Sequence, residues 1–139
     1  MAAYNKFYQF TKDLIDGVHD FDAHVFKVML TNVAPVAGNS VKGDLTEISA
    51  GNGYSAGGTA TTVTTETDGT GVAKGKASDV TFTATGGTIG PFRYAVLYND
   101  TAANDPLICW VDYGSSITLQ ATELIVIDFD VSAGVFTVT

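Results

Sequence analysis

From residue 24 onward the sequence is a succession of short apolar or β-branched segments separated by turn residues, and this pattern limits the folds open to the chain. β-branched and aromatic residues favour strands, whereas Gly, Pro, Asn and Asp favour the turns between them. No helical pattern recurs between the segments, which argues against a parallel α/β fold. The segments are HVFKVMLTN (24–32), TATTVTTET (59–67), DVTFTAT (79–85), FRYAVLYN (92–99), LICWVDY (107–113), ELIVIDFDV (123–131) and GVFTVT (134–139).

The pattern predicts a mainly β fold, an antiparallel β-sandwich or jelly-roll-like barrel of about eight strands. The last two segments are separated only by Ser132–Gly134, so we expect them to form a hairpin. The stretch GGTIGP (86–91) is expected to be a turn.

The stretch YNKFYQFTKDLIDG (4–17) is the one good helix candidate. Its apolar residues recur at spacings of three and four, and Gly17 can end the helix because it takes positive φ without steric cost. We therefore predict a single domain over 1–139, with an N-terminal helix or arm at 1–17 and a β core at 24–139. The predicted apolar face consists of Tyr4, Phe7, Tyr8, Thr11, Leu14 and Ile15.

Charge and composition exclude several classes of protein. The 139 residues carry a formal net charge of −8, and the lysines and the single arginine are scattered. Nucleic-acid binding requires clustered basic residues, so we predict no nucleic-acid partner and, for the same reason, no anionic membrane partner. The apolar runs are too short to span a bilayer, and the N-terminus lacks the pattern of a secretory signal. Cys109 lies in an apolar stretch and is predicted to be a buried thiol.

The glycine-rich stretch EISAGNGYSAGG (47–58) has the wrong pattern for a phosphate-binding loop. It has no GK[ST] ending, its third glycine comes one residue late for a dinucleotide fingerprint, and β-type sequence follows it. Without a helix N-terminus, no set of N–H groups converges on a phosphate. We predict that the glycines permit a tight bend, and that Tyr54 either packs over this loop or faces a partner.

Other residues with chemical potential have simpler structural explanations. The stretch HDFDAH contains His19, Asp20, Asp22 and His24, a set that can bind a metal, but Asp20 can equally cap a turn. The carboxylates of Asp128 and Asp130 fit a solvated strand face better than a glycosidase pair. Arg93 opposes apolar neighbours and is expected to form a buried or interfacial ion pair. We therefore predict no enzyme, no cofactor and no metal site.

The order of several motifs resembles that of a family of small virion proteins of tailed bacteriophages. The resemblance covers the chain from Tyr4 to Asp130, and the stretch 61–76 is its least distinctive part. None of the motifs carries a chemical mechanism. They are YNKFYQFTKDLIDGVHDF, FKVMLTNVAP, LTEISAGNGYSAGG, GGTIGPFRYAVLYND, DPLICWVDYGSSITL and IVIDFD.

The resemblance implies a structural component of the phage particle. We extend it to a capsid decoration (cement) protein, synthesised in the host cytoplasm and docked on the outer surface of the shell. Its partners would be the major capsid protein and further copies of itself, as a trimer or dimer. The N-terminal aromatics either contact a partner or cover one end of the sandwich. The predicted interface residues are Tyr4, Phe7, Tyr8, Phe10, Tyr54 and Arg93.

Two other classes of function stay open. A tail, baseplate or fibre-tip component would bind a host-surface glycan, for which Tyr54, Trp110, Asp112 and Tyr113 are the candidates. A hydrolase would use Asp128, Asp130 or the His19–His24 cluster, and it is the least favoured of the three.

Overall fold

The computed structural model describes residues 4–139, and its architecture is set by two strands, Phe26–Thr31 and Ile89–Asn99, that are buried along most of their length. The fold is mainly β, with about ten antiparallel strands and one short helix, as the turn-separated segments predicted. In chain order the elements are β1 (Tyr4–Lys6), α1 (Tyr8–Ile15), β2 (Phe26–Thr31), a 3-10 turn (Lys42–Asp44), β3 (Thr59–Thr61), β4 (Val63–Thr67), β5 (Ala73–Ala77), β6 (Val80–Thr83), β7 (Ile89–Asn99), β8 (Leu107–Leu119), β9 (Leu124–Ile127) and β10 (Phe136–Val138).

The strands form three sheets. The largest has the order β1-β8-β7-β2-β3, the second β10-β5-β4, and the third contains β6 and β9. Every strand pair is antiparallel. The large sheet therefore forms one layer of a sandwich-like fold, and the two small sheets contribute to the core on one of its faces.

The large sheet is covered on both faces. On one face, Val28 and Leu30 of β2 join a large cluster that includes Phe82 of β6 and Val63 of β4. On the other face, Met29 of β2 belongs to a smaller cluster. Because successive side chains of a strand point to opposite faces, the continuous apolar run of β2 serves both clusters at once. The smaller cluster contains Phe7, Met29, Val96, Tyr98 and Leu107, with Leu45 and Trp110 packed against it.

Several local predictions are corrected. Residues 4–6 are a strand rather than the first turn of the helix, because Tyr4 pairs with Val111 and Lys6 with Cys109 of β8. The stretch 59–67 is divided at Thr62 into β3 and β4, which belong to different sheets. The expected turn GGTIGP ends inside β7, which begins at Ile89 and has a cis Gly90–Pro91 peptide bond.

The predicted hairpin at the C-terminus is also wrong. β9 pairs with β6, whereas β10 pairs with β5. β5 itself was not predicted, since its sequence AKGKA has low β propensity. Its central Gly75 lies under the ring of Phe136, so packing against β10 compensates for that weak propensity.

The loop between β2 and β3 is held on the large sheet by a buried polar network. The Tyr54 hydroxyl accepts a hydrogen bond from the Leu30 amide (3.0 Å) and donates one to Glu47 Oε1 (2.7 Å). The same carboxylate oxygen accepts from the Gly57 amide, and the Tyr98 hydroxyl donates to the Gly57 carbonyl (2.6 Å). The loop thus supplies hydrogen-bond partners for the backbone of β2 beyond the residues that pair with β3.

The glycine-rich stretch forms tight bends, as predicted. Gly51 and Tyr54 exchange two backbone hydrogen bonds around Asn52 and Gly53, both of which have positive φ. Positive φ at both central residues is the mark of a type I′ turn. Gly58 also has positive φ, and a Cβ at this position would overlap the backbone of Val28.

We expect Gly58→Ala to destabilise the protein more than Gly69→Ala. Both glycines have similar positive φ values, +83° and +81°, so both substitutions carry the left-handed cost of about 1–2 kcal/mol. Only Gly58 faces a close neighbour, so its alanine variant should lose roughly a further 1–3 kcal/mol. Urea denaturation of the two variants measures the difference. Equal losses would contradict close packing of the loop against β2.

Candidate partner-binding surface

Helix α1 exposes large apolar side chains to solvent. Tyr8 is 73% exposed and Ile15 is 82% exposed, while Phe10 and Asp13 are buried. Residues seven apart lie on the same side of a helix, so Tyr8 and Ile15 share the outward face. Val138 of β10, 50% exposed, lines the same groove as Ile15. We call Tyr8, Ile15 and Val138 the helix surface.

A groove of about 490 Å³ adjoins the helix surface, between α1 and β10. Its walls are mostly apolar, with Leu14 and Ile15 on one side and Phe136 and Val138 on the other. Lys6 is the one charged residue of its lining. The exposed Lys12–Asp16 ion pair lies on the same outward face of α1 as Tyr8 and Ile15. Exposed apolar side chains, including an aromatic ring, beside a charged pair are typical of a protein–protein interface with a polar rim.

The structure corrects the roles of Phe7 and Phe10, which we predicted at a partner interface. Both are buried within the chain. The Phe7 ring lies 4.6 Å from that of Trp110, and the Phe10 ring lies 5.1 Å from that of Phe136. The alternative, that these aromatics cover part of the sandwich, holds for both residues.

Tyr4 occupies an intermediate position. It is half-buried, its ring stacks on Phe129 (6.2 Å), and its hydroxyl accepts a hydrogen bond from the Asp130 amide (2.5 Å). Burial is the main reason that the pKa of Tyr4 is raised. These contacts tie the N-terminal strand to the segment after β9, so Tyr4 anchors the helix surface rather than extending it.

Tyr54 packs over its own loop, which was one of the two predicted outcomes. It is buried, and its hydroxyl belongs to the network with Leu30 and Glu47. Burial raises the pKa of Tyr54 well above its usual value. Its place among the predicted interface residues is therefore corrected, because it offers no exposed surface.

Arg93 forms the predicted ion pair, and its partner is Asp112. Arg93 Nε lies 2.7 Å from Asp112 Oδ1, and Nη2 lies 3.0 Å from Oδ2. Hydrogen bonding within this pair is the main cause that raises the pKa of Arg93 and lowers that of Asp112. The side chains are 38% and 36% exposed, so the pair lies at the surface of the chain and is not buried.

The pair adjoins a second groove, of about 350 Å³, between β7, β8 and β9. Phe92 pairs with Ile117 and Tyr94 with Asp112, so residues 113–116 bulge out of β8 opposite the single residue Arg93. Tyr113 in this bulge is 57% exposed. Of the four glycan candidates, Tyr54 is buried and Trp110 packs on Phe7, whereas Tyr113 lines this groove and Asp112 adjoins it through its ion pair with Arg93.

The stretch HDFDAH has a structural role. Asp20 Oδ1 accepts hydrogen bonds from the amides of Asp22 and Ala23, which makes it the cap of a turn. Asn99 Nδ2 lies 3.0 Å from His19 Nδ1 and 2.9 Å from His24 Nδ1. Within residues 4–139, no group of three or more His, Cys, Asp or Glu side chains is placed to hold a metal ion.

The Asn99 amide defines the tautomer of both histidines. Its Oδ1 accepts hydrogen bonds from the Thr101 and Ala102 amides, so its Nδ2 must donate towards the two rings. Each Nδ1 is then an acceptor, which places a ring proton on Nε2. Burial lowers the pKa of His19, whose ring lies 5.3 Å from that of Phe10.

The other residues considered for catalysis are also engaged in the fold. Asp130 Oδ1 accepts from the amides of Ser132 and Ala133 and so caps a turn, while Asp128 lines the 350 Å³ groove. Both aspartates follow the end of β9 at Ile127, so the predicted solvated strand face is wrong, and Phe129 between them is buried. Cys109 is buried as predicted, and its burial raises the pKa of the thiol to about 12.

Comparisons with protein-family models, curated proteins and solved structures found no match to this chain. Within the described part of the chain, no helix has the length and apolar character needed to cross a membrane.

We expect the stability of the protein to fall as the pH drops below about 6.5, the ordinary pKa of histidine. Burial lowers the pKa of His19 in the folded state. Below the ordinary histidine pKa the unfolded chain therefore binds a proton before the folded chain does, and unfolding is favoured. His19→Asn, whose Oδ1 can replace Nδ1 as the acceptor for Asn99, removes this titration. Urea denaturation across a pH series should show a shallower pH dependence for the variant, and an unchanged dependence would contradict the assignment.

Proposed function

We propose that this chain is a non-enzymatic structural protein of a tailed-phage virion, and that it acts as a capsid decoration protein that binds and stabilises the outer shell. The observation that carries the proposal is the helix surface, where Tyr8 and Ile15 are displayed beside an apolar groove on an otherwise acidic chain. The order of motifs that resembles small phage virion proteins supports the same class.

The helix surface is built for docking rather than for chemistry. Phe7 and Phe10 anchor α1 in the core, so the outward positions of Tyr8 and Ile15 are preorganised before any partner arrives. Preorganisation reduces the entropy lost on binding. A rigid apolar patch with a nearby groove can accept a complementary apolar side chain from the major capsid protein.

Decoration would stabilise the shell by linkage. A protein that binds across neighbouring subunits of an assembled lattice, and not to separate subunits, shifts the equilibrium towards assembly. The protein would fold alone in the host cytoplasm and then add to the completed shell, as trimers or dimers. The buried thiol of Cys109, with its raised pKa, agrees with folding that needs no disulfide.

The tail, baseplate or fibre-tip alternative is supported by a different surface. Tyr113 is exposed, and the Arg93–Asp112 pair lies beside it at the 350 Å³ groove. An exposed ring beside polar groups can stack on a sugar and bind its hydroxyls. This alternative uses none of the residues of the helix surface.

We expect the double variant Tyr8→Ala/Ile15→Ser to lose binding to purified undecorated phage shells. Two exposed apolar anchors at the centre of an interface contribute roughly 2 kcal/mol or more, which corresponds to at least about a thirtyfold weaker Kd. Cosedimentation with shells measures binding. Tyr113→Ala is the matched control, because it removes an exposed aromatic ring from the other surface and should bind normally.

Point variants are required for this test. Deletion of residues 1–16 would also remove β1 and the buried rings of Phe7 and Phe10, so it would destabilise the core. Loss of shell binding by Tyr113→Ala with retention by the double variant would overturn the proposed docking surface. The copy number per virion, measured by quantitative mass spectrometry, tests the class: a simple ratio to the major capsid protein supports decoration, and a few copies support a tail component.

The alternative makes its own prediction. If the chain binds a host glycan, the isolated protein should bind a surface-polysaccharide array, and Tyr113→Ala should abolish that binding because it removes the stacking ring. Tyr8→Ala/Ile15→Ser is then the control that retains binding. Absence of glycan binding by the wild-type protein would contradict the alternative.

A further inference from the structure

The segment between α1 and β2 is bonded to the β core through one side-chain amide. Asn99, the last residue of β7, is fully buried, and its Nδ2 lies 3.0 Å from His19 Nδ1 and 2.9 Å from His24 Nδ1. We call His19, His24 and Asn99 the histidine cluster. It joins residues 18–24, which follow the helix, to a strand 75 to 80 positions later in the sequence.

Backbone N–H groups determine which atoms donate in the histidine cluster. Asn99 Oδ1 accepts from the amides of Thr101 (2.9 Å) and Ala102 (3.0 Å), so Asn99 Nδ2 offers one proton to each ring. The Asp20 amide also donates to His24 Nδ1 (3.2 Å). A backbone amide can only donate, so neither the Asn99 amide nor the His24 ring can be reversed without losing these bonds. The cluster is therefore complete only while both Nδ1 atoms are free of a proton.

A second proton on His19 would have no acceptor. On Nδ1 it would face the N–H groups of Asn99, and Nε2 is buried without a hydrogen-bond partner in residues 4–139. The ring lies among aromatic rings, with centroid distances of 5.3 Å to Phe10, 5.7 Å to Phe21 and 6.2 Å to Phe26. A charged imidazole with two unsatisfied donors is unfavourable in such a place.

The charged groups around the cluster do not remove this cost. Burial lowers the pKa of His19, and this effect outweighs the carboxylate of Asp13 on α1, which acts in the opposite direction. The nearby His24 lowers the pKa of His19 further.

The remaining charged groups near the cluster have other partners or face solvent. Asp20 Oδ1 is occupied by two amides of the turn, and Asp22 is exposed. Asp100, next to Asn99, forms an ion pair with Lys27 of β2 (3.0 Å). The ring contacts of this segment with β2 and β10 are made by phenylalanines, which carry no charge.

We propose that the histidine cluster is a pH-sensitive switch, in which protonation of the imidazoles breaks their bonds to Asn99 and releases residues 18–24 from the β core. In the released segment the histidines are in water and take up protons at the ordinary pKa of about 6.5. The closed cluster excludes those protons, so a fall in pH below this value favours release. Release ends at Val25, whose amide stays bonded to Thr101 Oγ1 and whose carbonyl stays bonded to the Asp100 amide.

The switch reaches the groove beside the helix surface through aromatic contacts. His19 packs on Phe10 of α1, and Phe21 packs on Phe136 of β10 with ring centroids 5.3 Å apart. Phe10 and Phe136 both line the 490 Å³ groove. Release of residues 18–24 therefore removes packing from both walls of the groove, whichever partner the groove binds.

Hydrogen exchange of the full chain, measured by mass spectrometry and corrected for intrinsic exchange rates, tests the switch. Peptides that cover residues 18–24 should lose at least about tenfold in protection between about pH 7 and about pH 5, because release takes up a proton. Peptides from β2 and β7 should keep their protection. The double variant His19→Asn/His24→Asn keeps an acceptor oxygen near each Nδ1 position and cannot titrate, so its segment should stay protected at about pH 5.

Asn99→Asp should reverse the sign of the pH dependence. Its carboxylate can still accept from the Thr101 and Ala102 amides, but it offers the two rings an acceptor where Asn99 offers a donor. Protonated histidines are then stabilised, so protection of residues 18–24 should rise as the pH falls from about 7 to about 5. Protection that falls in this variant as it does in the wild type would contradict the switch.

The ring nitrogen chemical shifts of the wild-type histidines give a measurement that needs no variant. At about pH 7.5 both rings should carry a proton on Nε2 and none on Nδ1. A proton on either Nδ1 at this pH would overturn the inference. So would wild-type protection of residues 18–24 that does not change with pH, or an equal loss in the double histidine variant. None of these measurements uses phage shells, so they are independent of the proposed docking.

Discussion

The hydroxyl of Tyr54 is the contact on which the rest of the structure depends. It satisfies the Leu30 amide on a central strand and, through Glu47, the Gly57 amide at the far end of the same loop. These groups are buried or half-buried, so each would carry a desolvation cost if it were left without a partner. With the network complete, the loop after β2 packs on both faces of the large sheet, with Tyr54 in the larger core cluster and Leu45 against the smaller one.

Buried contacts also fix the position of the helix surface. Helical periodicity places Phe10 inward and Tyr8 and Ile15 outward on an eight-residue helix. A helix of this length is marginal in isolation, so its stability comes from packing. The buried rings of Phe7 and Phe10 therefore hold in place the two exposed side chains on which the proposed docking depends. The hairpin of β4 and β5 is built differently, since most of its residues are exposed.

The sequence predicted some parts of the site and not others. The ion pair of Arg93 and the bend at Gly51–Gly58 follow from local chemistry, and both were predicted. The interface residues were predicted as a group of aromatics, but Phe7, Phe10 and Tyr54 are buried and Tyr8 is not. Ile15 was placed on the apolar face of the predicted helix but was not among the predicted interface residues. Which of these side chains are exposed and which are buried depends on the pairing of β1 with β8, whose residues lie about a hundred positions apart in the sequence.

By itself, the sequence determined the β class, the positions of most strands, the acidic character of the chain and the tight glycine bends. These properties depend on residue type and on spacing over a few positions, which local sterics and alternation decide. The tertiary structure alone decided that Tyr4–Lys6 is a strand, that β9 and β10 belong to different sheets, and that AKGKA becomes β5 between two partners. Strand pairing and burial depend on which distant segments supply the missing hydrogen bonds and apolar contacts, and no local pattern specifies those partners.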